Sequence, residues 1–82
     1  MTDDELLQRV TCDPKVMVGK PVIRGTRLTV DHVLNLLGHG ASVEEILSEY
    51  HGLCREDIQA VLLFASKSLS DATFMPVVAE SA

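Results

Sequence analysis

Cysteine and the aromatic residues are scarce in this sequence. Its 82 residues include two cysteines, Cys12 and Cys54, with no Trp, one Tyr and two Phe. Two cysteines are too few for the disulfide framework that stabilises small secreted domains, so that class of protein is excluded. Because large aromatic side chains are so few, we expect a core built from aliphatic residues.

Cations are also few, and no long apolar run is present. Seven Lys and Arg stand against twelve Asp and Glu, a formal net charge of -5, so any contact with DNA must come from a local basic patch. The longest nearly apolar stretch, residues 60–65, is about a third of a membrane span. Residues 3–5 are acidic where a signal peptide would be basic. We predict a soluble, cytoplasmic protein that contacts no membrane.

The length allows one small domain. We divide the chain into an N-terminal segment of residues 1–13, a domain of residues 14–71 and an apolar tail of residues 72–82. Helical spacing of Leu6, Leu7 and Val10 predicts a helical turn in the first segment. Residues 16–30 mix β-branched residues with glycine and proline, which predicts a small β-hairpin.

Three further helices are predicted after the hairpin. Thr29 is the expected N-cap of the first, which ends at Gly38, and Ser42 with Glu45 forms a capping box at the start of the second. The third runs over residues 55–69 after a short turn containing a glycine. The predicted fold is mainly α: a small three-helix bundle, with helix-turn-helix spacing, preceded by a short β-hairpin.

The third helix is apolar on two sides. Its expected core stripe is Ile58, Val61, Leu62, Ala65 and Leu69. The other side, with Ala60, Leu63 and Phe64, would face water in a monomer, so we predict that a homodimer or a protein partner covers Leu63 and Phe64. We expect the tail to dock as well. The candidate residues for these contacts are Leu63 and Phe64 in the helix and Phe74, Met75, Val77 and Val78 in the tail.

The helix-turn-helix spacing alone is weak evidence for DNA binding. Packing three helices is a common way to bury aliphatic stripes whatever the function. The third helix also begins with Arg55, Glu56 and Asp57, and two carboxylates in that position would meet phosphates. We therefore do not expect this helix to read bases directly.

The one basic segment of the sequence lies between Asp13 and Asp31, which enclose four cations and no acidic residue. Glycines allow tight turns there, and arginine side chains carry forked donors suited to phosphate or carboxylate. A solvated hairpin whose cations offset the acidic helices is an equally good interpretation. The cations are Lys15, Lys20, Arg24 and Arg27; the candidate residues for binding DNA or a partner are Lys20, Arg24, Gly25, Thr26 and Arg27.

Enzymatic and metal-dependent functions are disfavoured. No Ser or Cys has the sequence context of a nucleophile elbow, and the acidic pairs lie at predicted helix starts, where the helix dipole accounts for them. Cys12, His39, His51 and Cys54 could supply four zinc ligands, but no pair of cysteines has zinc-site spacing. We expect no catalytic residues, no metal and no cofactor.

Several short motifs resemble the small prokaryotic family called domain of unknown function 433. The most specific is GKPVIRGTR at residues 19–27, followed by GASVEEIL at residues 40–47. The resemblance extends over residues from about 10 to 69. The sequence departs from the family pattern at Leu28-Thr29, where Ile-Pro is usual, and at Cys54, where Thr or Ser is usual.

The resemblance implies a homeodomain-like or winged-helix-type fold. It also implies a function like that of VapB-type antitoxins, which bind and silence a PIN-like ribonuclease toxin and often bind their own operator DNA. Our leading hypothesis is a non-catalytic regulator of this antitoxin-like kind, in which Arg24 and Arg27 contact operator phosphates or the carboxylates of the nuclease. The alternative is a homo-oligomeric interaction module that binds no nucleic acid.

Overall fold

The structure, a computed structural model, describes residues 1–71. The elements are α1 (Asp3–Leu7), β1 (Val10–Cys12), a 3-10 turn (Met17–Gly19), β2 (Pro21–Ile23), α2 (Val30–Gly38), α3 (Val43–Glu49) and α4 (Arg55–Ser70). Residues 1–71 are thus mainly helical, with one two-stranded antiparallel sheet. The predicted tail contacts at Phe74, Met75, Val77 and Val78 lie outside the described residues.

A capping box between Thr2 and Glu5 stabilises the start of α1. The Thr2 hydroxyl accepts from the Glu5 amide at 3.2 Å, and the Glu5 carboxylate accepts from the Thr2 amide at 3.1 Å. The predicted helical turn is confirmed around Leu6 and Leu7 but is wrong at Val10, which belongs to β1. Helical spacing alone could not show that Val10 leaves the helix, because its strand conformation depends on pairing with Ile23, which is distant in the sequence.

The sheet forms earlier in the chain than the hairpin prediction placed it. Val10 pairs with Ile23 and Cys12 with Pro21, so only β2 lies within residues 16–30. The expected first strand is replaced by the 3-10 turn, where Met17 and Val18 both have positive φ, 48° and 56°, and such backbone cannot extend as a strand. The N-terminal segment of residues 1–13 therefore supplies half of the sheet.

The start signals of the next two helices are confirmed. The Thr29 hydroxyl accepts from the His32 amide at 3.2 Å at the start of α2. Ser42 and Glu45 form the reciprocal pair of the capping box at the start of α3, with bonds of 2.8 and 3.1 Å. These signals were readable in the sequence because a cap is made by residues three positions apart.

The helices and β2 enclose an aliphatic core. Its buried residues are Ile23, Val30, Val33, Ile46, Ile58 and Val61. This composition follows from the scarcity of aromatic residues, and Phe64 and Tyr50 only pack against the edge of the cluster. None of the helices described over residues 1–71 has the length and apolar character needed to cross a membrane.

The predicted faces of α4 need correction. Ala60, which we expected at the surface, is fully buried, whereas Leu62 and Leu69, expected in the core, are 49% and 68% exposed. Phe64 is half-buried and packs against the core, so it does not stand free in water. The reason is that α1 packs on α4 in addition to α2 and α3, which shifts the covered arc of the helix.

Candidate partner-binding surface

The motif at residues 23–28 forms a tight turn directly after β2. The Thr26 amide donates to the Ile23 carbonyl at 3.0 Å, and Gly25 at the third position of this turn has a φ of +80°. That combination is typical of a type II β-turn, in which glycine is favoured because other residues are strained there. Gly25 therefore shapes the backbone of the site and has no side chain to offer a ligand.

Thr26 braces the same turn. Its hydroxyl donates to the Ile23 carbonyl at 2.7 Å and accepts from the Leu28 amide at 3.0 Å. The Ile23 amide in turn donates to the Leu28 carbonyl at 3.0 Å. With donor and acceptor both engaged inside the turn, Thr26 acts as a structural brace of the predicted site.

Arg24 and Arg27 project from the braced turn. Both side chains are exposed, and within residues 1–71 neither takes part in a salt bridge or a side-chain hydrogen bond. The Arg24 backbone is fixed, because its amide donates to the Arg9 carbonyl at 2.7 Å. The turn thus presents two guanidinium groups on an ordered backbone.

The two arginine side chains border different hollows of the protein surface. Arg24 lines one of about 310 Å³ together with Glu5 and Asp57. Arg27 lines one of about 450 Å³ with Thr11 and Asp13, and another of about 470 Å³ beside Tyr50 and His51. A ligand that engages both guanidinium groups must therefore span the turn, which favours an extended macromolecular surface over a small molecule.

Lys20 is separate from this pair. Its Nζ lies 3.9 Å from Asp31 Oδ2, and both side chains are well exposed, so the ion pair contributes little to stability. Lys20 and Phe64 instead line one apolar groove between α2 and α4. Leu63 does not line this groove, so the structure brings together only part of the predicted contact residues.

An ion pair that the sequence analysis missed lies beside the turn. Asp57 was interpreted as an exposed helix-start acid, but it is 7% exposed, and its Oδ1 accepts from Arg9 Nη1 at 3.1 Å. Its Oδ2 accepts from the Cys54 amide at 3.1 Å, which caps α4. The only local signal was the Cys54-x-x-Asp57 spacing of a capping box, and the partner is 48 positions away.

The start of α4 is consequently less acidic than the sequence suggested. Arg9 compensates Asp57, and Arg55 pairs with Glu44 of α3. The hydrogen bond from Arg55 lowers the pKa of Glu44. Glu56 stays half-exposed and ionised, since its position at the helix start lowers its pKa through bonds to its own backbone amide and to Cys54.

The candidate metal ligands are dispersed. His39 Nδ1 contacts the Asn35 carbonyl at 2.8 Å, and Cys54 Sγ contacts Arg9 and Asp57 at 3.5 Å. In the described part of the chain, no three His, Cys, Asp or Glu side chains are grouped as they would be around an ion.

Comparison with known proteins places the turn in a recognised family. A family model described as protein of unknown function (DUF433) matches residues 10–65. The chain belongs to the DUF433 family. A DUF433 member from Anabaena variabilis has a crystal structure with a TM-score of 0.73 and 28% identity, over 82% of this chain and 66% of that one.

Two curated relatives are similar over shorter stretches. The uncharacterized protein y4eO of Sinorhizobium fredii is 38% identical over 56 residues, which are 68% of this chain and 25% of that protein. An uncharacterized protein of Archaeoglobus fulgidus is 64% identical over 25 residues, 30% of this chain and 69% of the relative. This chain thus spans about a quarter of the length of the Sinorhizobium protein. The DUF433 match includes the whole turn and ends before Leu69.

Proposed function

We propose that this protein is a non-catalytic, antitoxin-like regulator that binds an acidic protein partner, a nuclease of the PIN-like class, through Arg24 and Arg27. The observation that carries the proposal is the pair of exposed guanidinium groups without acidic partners within residues 1–71, held on a hydrogen-bonded turn. Forked donors of this kind match carboxylates in two-point contacts.

The order of the turn favours tight binding. Thr26, Gly25 and the Arg24 amide fix the backbone before any partner arrives, so association pays less to order this segment than it would for a mobile loop. A nuclease whose metal-binding carboxylates accept the two arginines would also lose access to its metal ions. Binding and inhibition would then be one event.

Operator binding is a second activity within the same proposal. The succession of α3, a turn with Gly52 at a φ of +96°, and α4 is compatible with a homeodomain-like helix-turn-helix. At the start of α4, however, Arg55 is paired with Glu44 and Glu56 carries a charge. We therefore assign any contact with DNA to phosphates at Arg24 and Arg27 and not to base reading by α4.

A homo-oligomeric module is the alternative function. It is favoured by the exposure of Leu62 and Leu69 on α4, 49% and 68%, together with the net charge of -5, which disfavours nucleic acid. In this alternative two copies cover the apolar side of α4, and the basic turn contributes only to solubility.

The decisive experiment compares two charge-matched double variants in co-expression with the neighbouring open reading frame. Each variant removes two positive charges from the same segment. One is Arg24→Ala/Arg27→Ala and the other is Lys15→Ala/Lys20→Ala. We expect the arginine variant to lose about 100-fold in affinity for the co-purified nuclease and in inhibition of it, since truncated charge pairs cost about 3 kcal/mol. We expect the lysine variant to retain both within about threefold.

Equal losses of affinity and inhibition in the two variants would show that only the net charge of the segment matters. That result would overturn the contacts assigned to Arg24 and Arg27. Purification of the protein with itself alone, without retardation of upstream DNA, would favour the homo-oligomeric module.

For operator binding, the affinity for upstream DNA is measured against salt concentration. The arginine variant should show a shallower slope than the unaltered chain, and an unchanged slope excludes phosphate contacts by these residues.

A further inference from the structure

Three consecutive residues of the 3-10 turn have left-handed backbone. Their φ angles are 48° at Met17, 56° at Val18 and 79° at Gly19. Glycine adopts this region freely, but a methionine does so at a cost in free energy, and a β-branched valine is a clear outlier there. Residues with strained backbone persist where the surrounding structure holds them, and they are concentrated at sites of binding and catalysis. The 3-10 turn is therefore a candidate binding element.

Backbone hydrogen bonds hold this turn in place. The Val16 amide donates to the Asp13 carbonyl at 2.8 Å just before the turn. The Gly19 amide then donates to the Val16 carbonyl at 3.1 Å, and the Lys20 amide donates to the Met17 carbonyl at 3.1 Å. The turn is thus ordered in the absence of a partner, so a molecule that binds it spends little free energy on fixing its shape.

The turn exposes apolar side chains to water. Val18 is 93% exposed, more than any other large apolar residue described within residues 1–71, and Met17 is 43% exposed. Burial within the described chain therefore does not offset the strain at Val18. A single exposed apolar residue is ordinary on a protein surface, but an exposed valine held in strained backbone is not. Both observations are accounted for if the Val18 side chain is buried against another molecule.

The 3-10 turn adjoins the basic turn of residues 23–28. Val16, directly before the 3-10 turn, lines the hollow of about 450 Å³ that Arg27 also lines. The one carboxylate in the lining of this hollow, that of Asp13, accepts from the Lys15 amide at 2.9 Å. A partner that binds Arg27 at this hollow is therefore brought next to the 3-10 turn.

We propose that Val18, with Met17 beside it, is an apolar anchor that inserts into a depression on the acidic nuclease that Arg24 and Arg27 bind. The inference rests on the proposed function and deepens it, since it adds that the carboxylates of that partner border an apolar surface. Protein interfaces commonly have an apolar centre with a polar rim, and methionine is enriched in them. A lipid surface is disfavoured, because anionic headgroups repel the net charge of -5 and two side chains bury too little area to hold a protein on a bilayer.

Two substitutions at position 18 separate binding from folding. Val18→Gly and Val18→Asn both remove the apolar side chain, and glycine and asparagine tolerate left-handed backbone better than valine does. In co-expression of the full chain with the neighbouring open reading frame, we expect each variant to lose about 10-fold in affinity for the co-purified nuclease, while Tm stays the same or rises. Leu62→Asn is the matched control, since Leu62 is an exposed apolar residue of α4 outside both turns, and it should keep the affinity of the unaltered chain.

The variant Arg24→Ala/Arg27→Ala, measured alongside, separates the anchor from the arginine contacts. If the arginine variant loses affinity and both Val18 variants keep it, the anchor is overturned and the proposed function stands. If none of the three loses affinity, or no nuclease co-purifies, both are overturned. Loss of affinity together with a fall in Tm, or an equal loss in Leu62→Asn, would also overturn the anchor. So would sedimentation of the unaltered chain with vesicles of equal parts phosphatidylcholine and phosphatidylserine that Val18→Asn abolishes, since the anchor would then belong to a lipid surface.

Discussion

At the scale of single residues, Asp57 connects the N-terminal segment to α4. Its carboxylate is almost fully buried and accepts from Arg9 and from the Cys54 amide. Both oxygens are thereby engaged, so a nearly buried charge is compensated, and the 34% exposure of the Arg9 side chain limits the desolvation that the pair must overcome.

Removal of this carboxylate should therefore destabilise the protein strongly. We expect Asp57→Ala to lower the free energy of unfolding by about 3 kcal/mol, because it uncaps α4 and leaves Arg9 without its partner. Urea unfolding measures the change, and the Arg9→Ala/Asp57→Ala cycle isolates the pair. A loss in Asp57→Ala no larger than that in the exposed-site control Asp3→Ala would contradict the assigned role.

Cys54 occupies the N-cap of α4, where sulfur is a weak hydrogen-bond acceptor. Serine is among the favoured residues at this position because its oxygen accepts from the first turn. We expect Cys54→Ser to raise the free energy of unfolding by about 0.5–1 kcal/mol. Thermal unfolding measures it, and a lower Tm would show that the contacts of sulfur with Arg9 and Asp57 matter more than the cap.

At the scale of elements, the turn after β2 depends on the Thr26 hydroxyl. Thr26→Val keeps the shape of the side chain but removes the bonds to Ile23 and Leu28, so we expect a loss of about 1–2 kcal/mol in the free energy of unfolding and a further loss in partner affinity. Thr11→Val, at a half-buried threonine in β1, is the matched control for stability. If Thr26→Val loses no more stability than Thr11→Val and keeps the affinity of the unaltered chain, the turn is not braced in the way described.

The capping box of α3 makes its contribution dependent on pH. Hydrogen bonds from the Ser42 amide and hydroxyl lower the pKa of Glu45 below its ordinary value. Because the pKa of Glu45 is lower in the folded than in the unfolded protein, the ionised carboxylate stabilises the fold at pH values above the unfolded-state pKa. This contribution is lost as the pH falls through the folded-state pKa. We expect Glu45→Gln to have a lower Tm than the unaltered chain at pH 7, and the gap to close as pH falls below about 4. A gap of constant size from pH 7 to pH 3 would contradict this.

Local signals and distant contacts explain which elements the sequence predicted. The starts of α2 and α3 were predictable because Thr29, Ser42 and Glu45 act within one helical turn. The pairing of Val10 with Ile23 was not, since a strand of three residues carries little periodicity and its partner lies beyond a turn with positive φ.

At the scale of the whole molecule, the same distinction applies to the candidate site. The basic segment was visible as a run of cations without acids. The structure adds that Lys20 lies beside Asp31 and borders a different hollow from those of Arg24 and Arg27. The core face of α4 was predicted correctly at Ile58 and Val61. It was wrong at Ala60, Leu62 and Leu69, because coverage by α1 is a tertiary property. The Arg9–Asp57 pair was missed for the same reason.

Within residues 1–71, two surfaces of different chemistry stand out. One is the polar turn with Arg24 and Arg27, which we assign to a protein partner. The other is the apolar groove between α2 and α4, lined by Phe64, Ala65 and Leu69 among others. The two surfaces have opposite chemistry, so a partner that binds one is not expected to bind the other.

The most direct test of the central claim is an amide chemical-shift titration of the isotopically labelled full chain with the co-purified nuclease. Saturable shifts concentrated at residues 23–28, with the amides of Gly25 and Thr26 among the largest, are the predicted result. Shifts concentrated along α4, with the amides of residues 23–28 unmoved, would contradict the account.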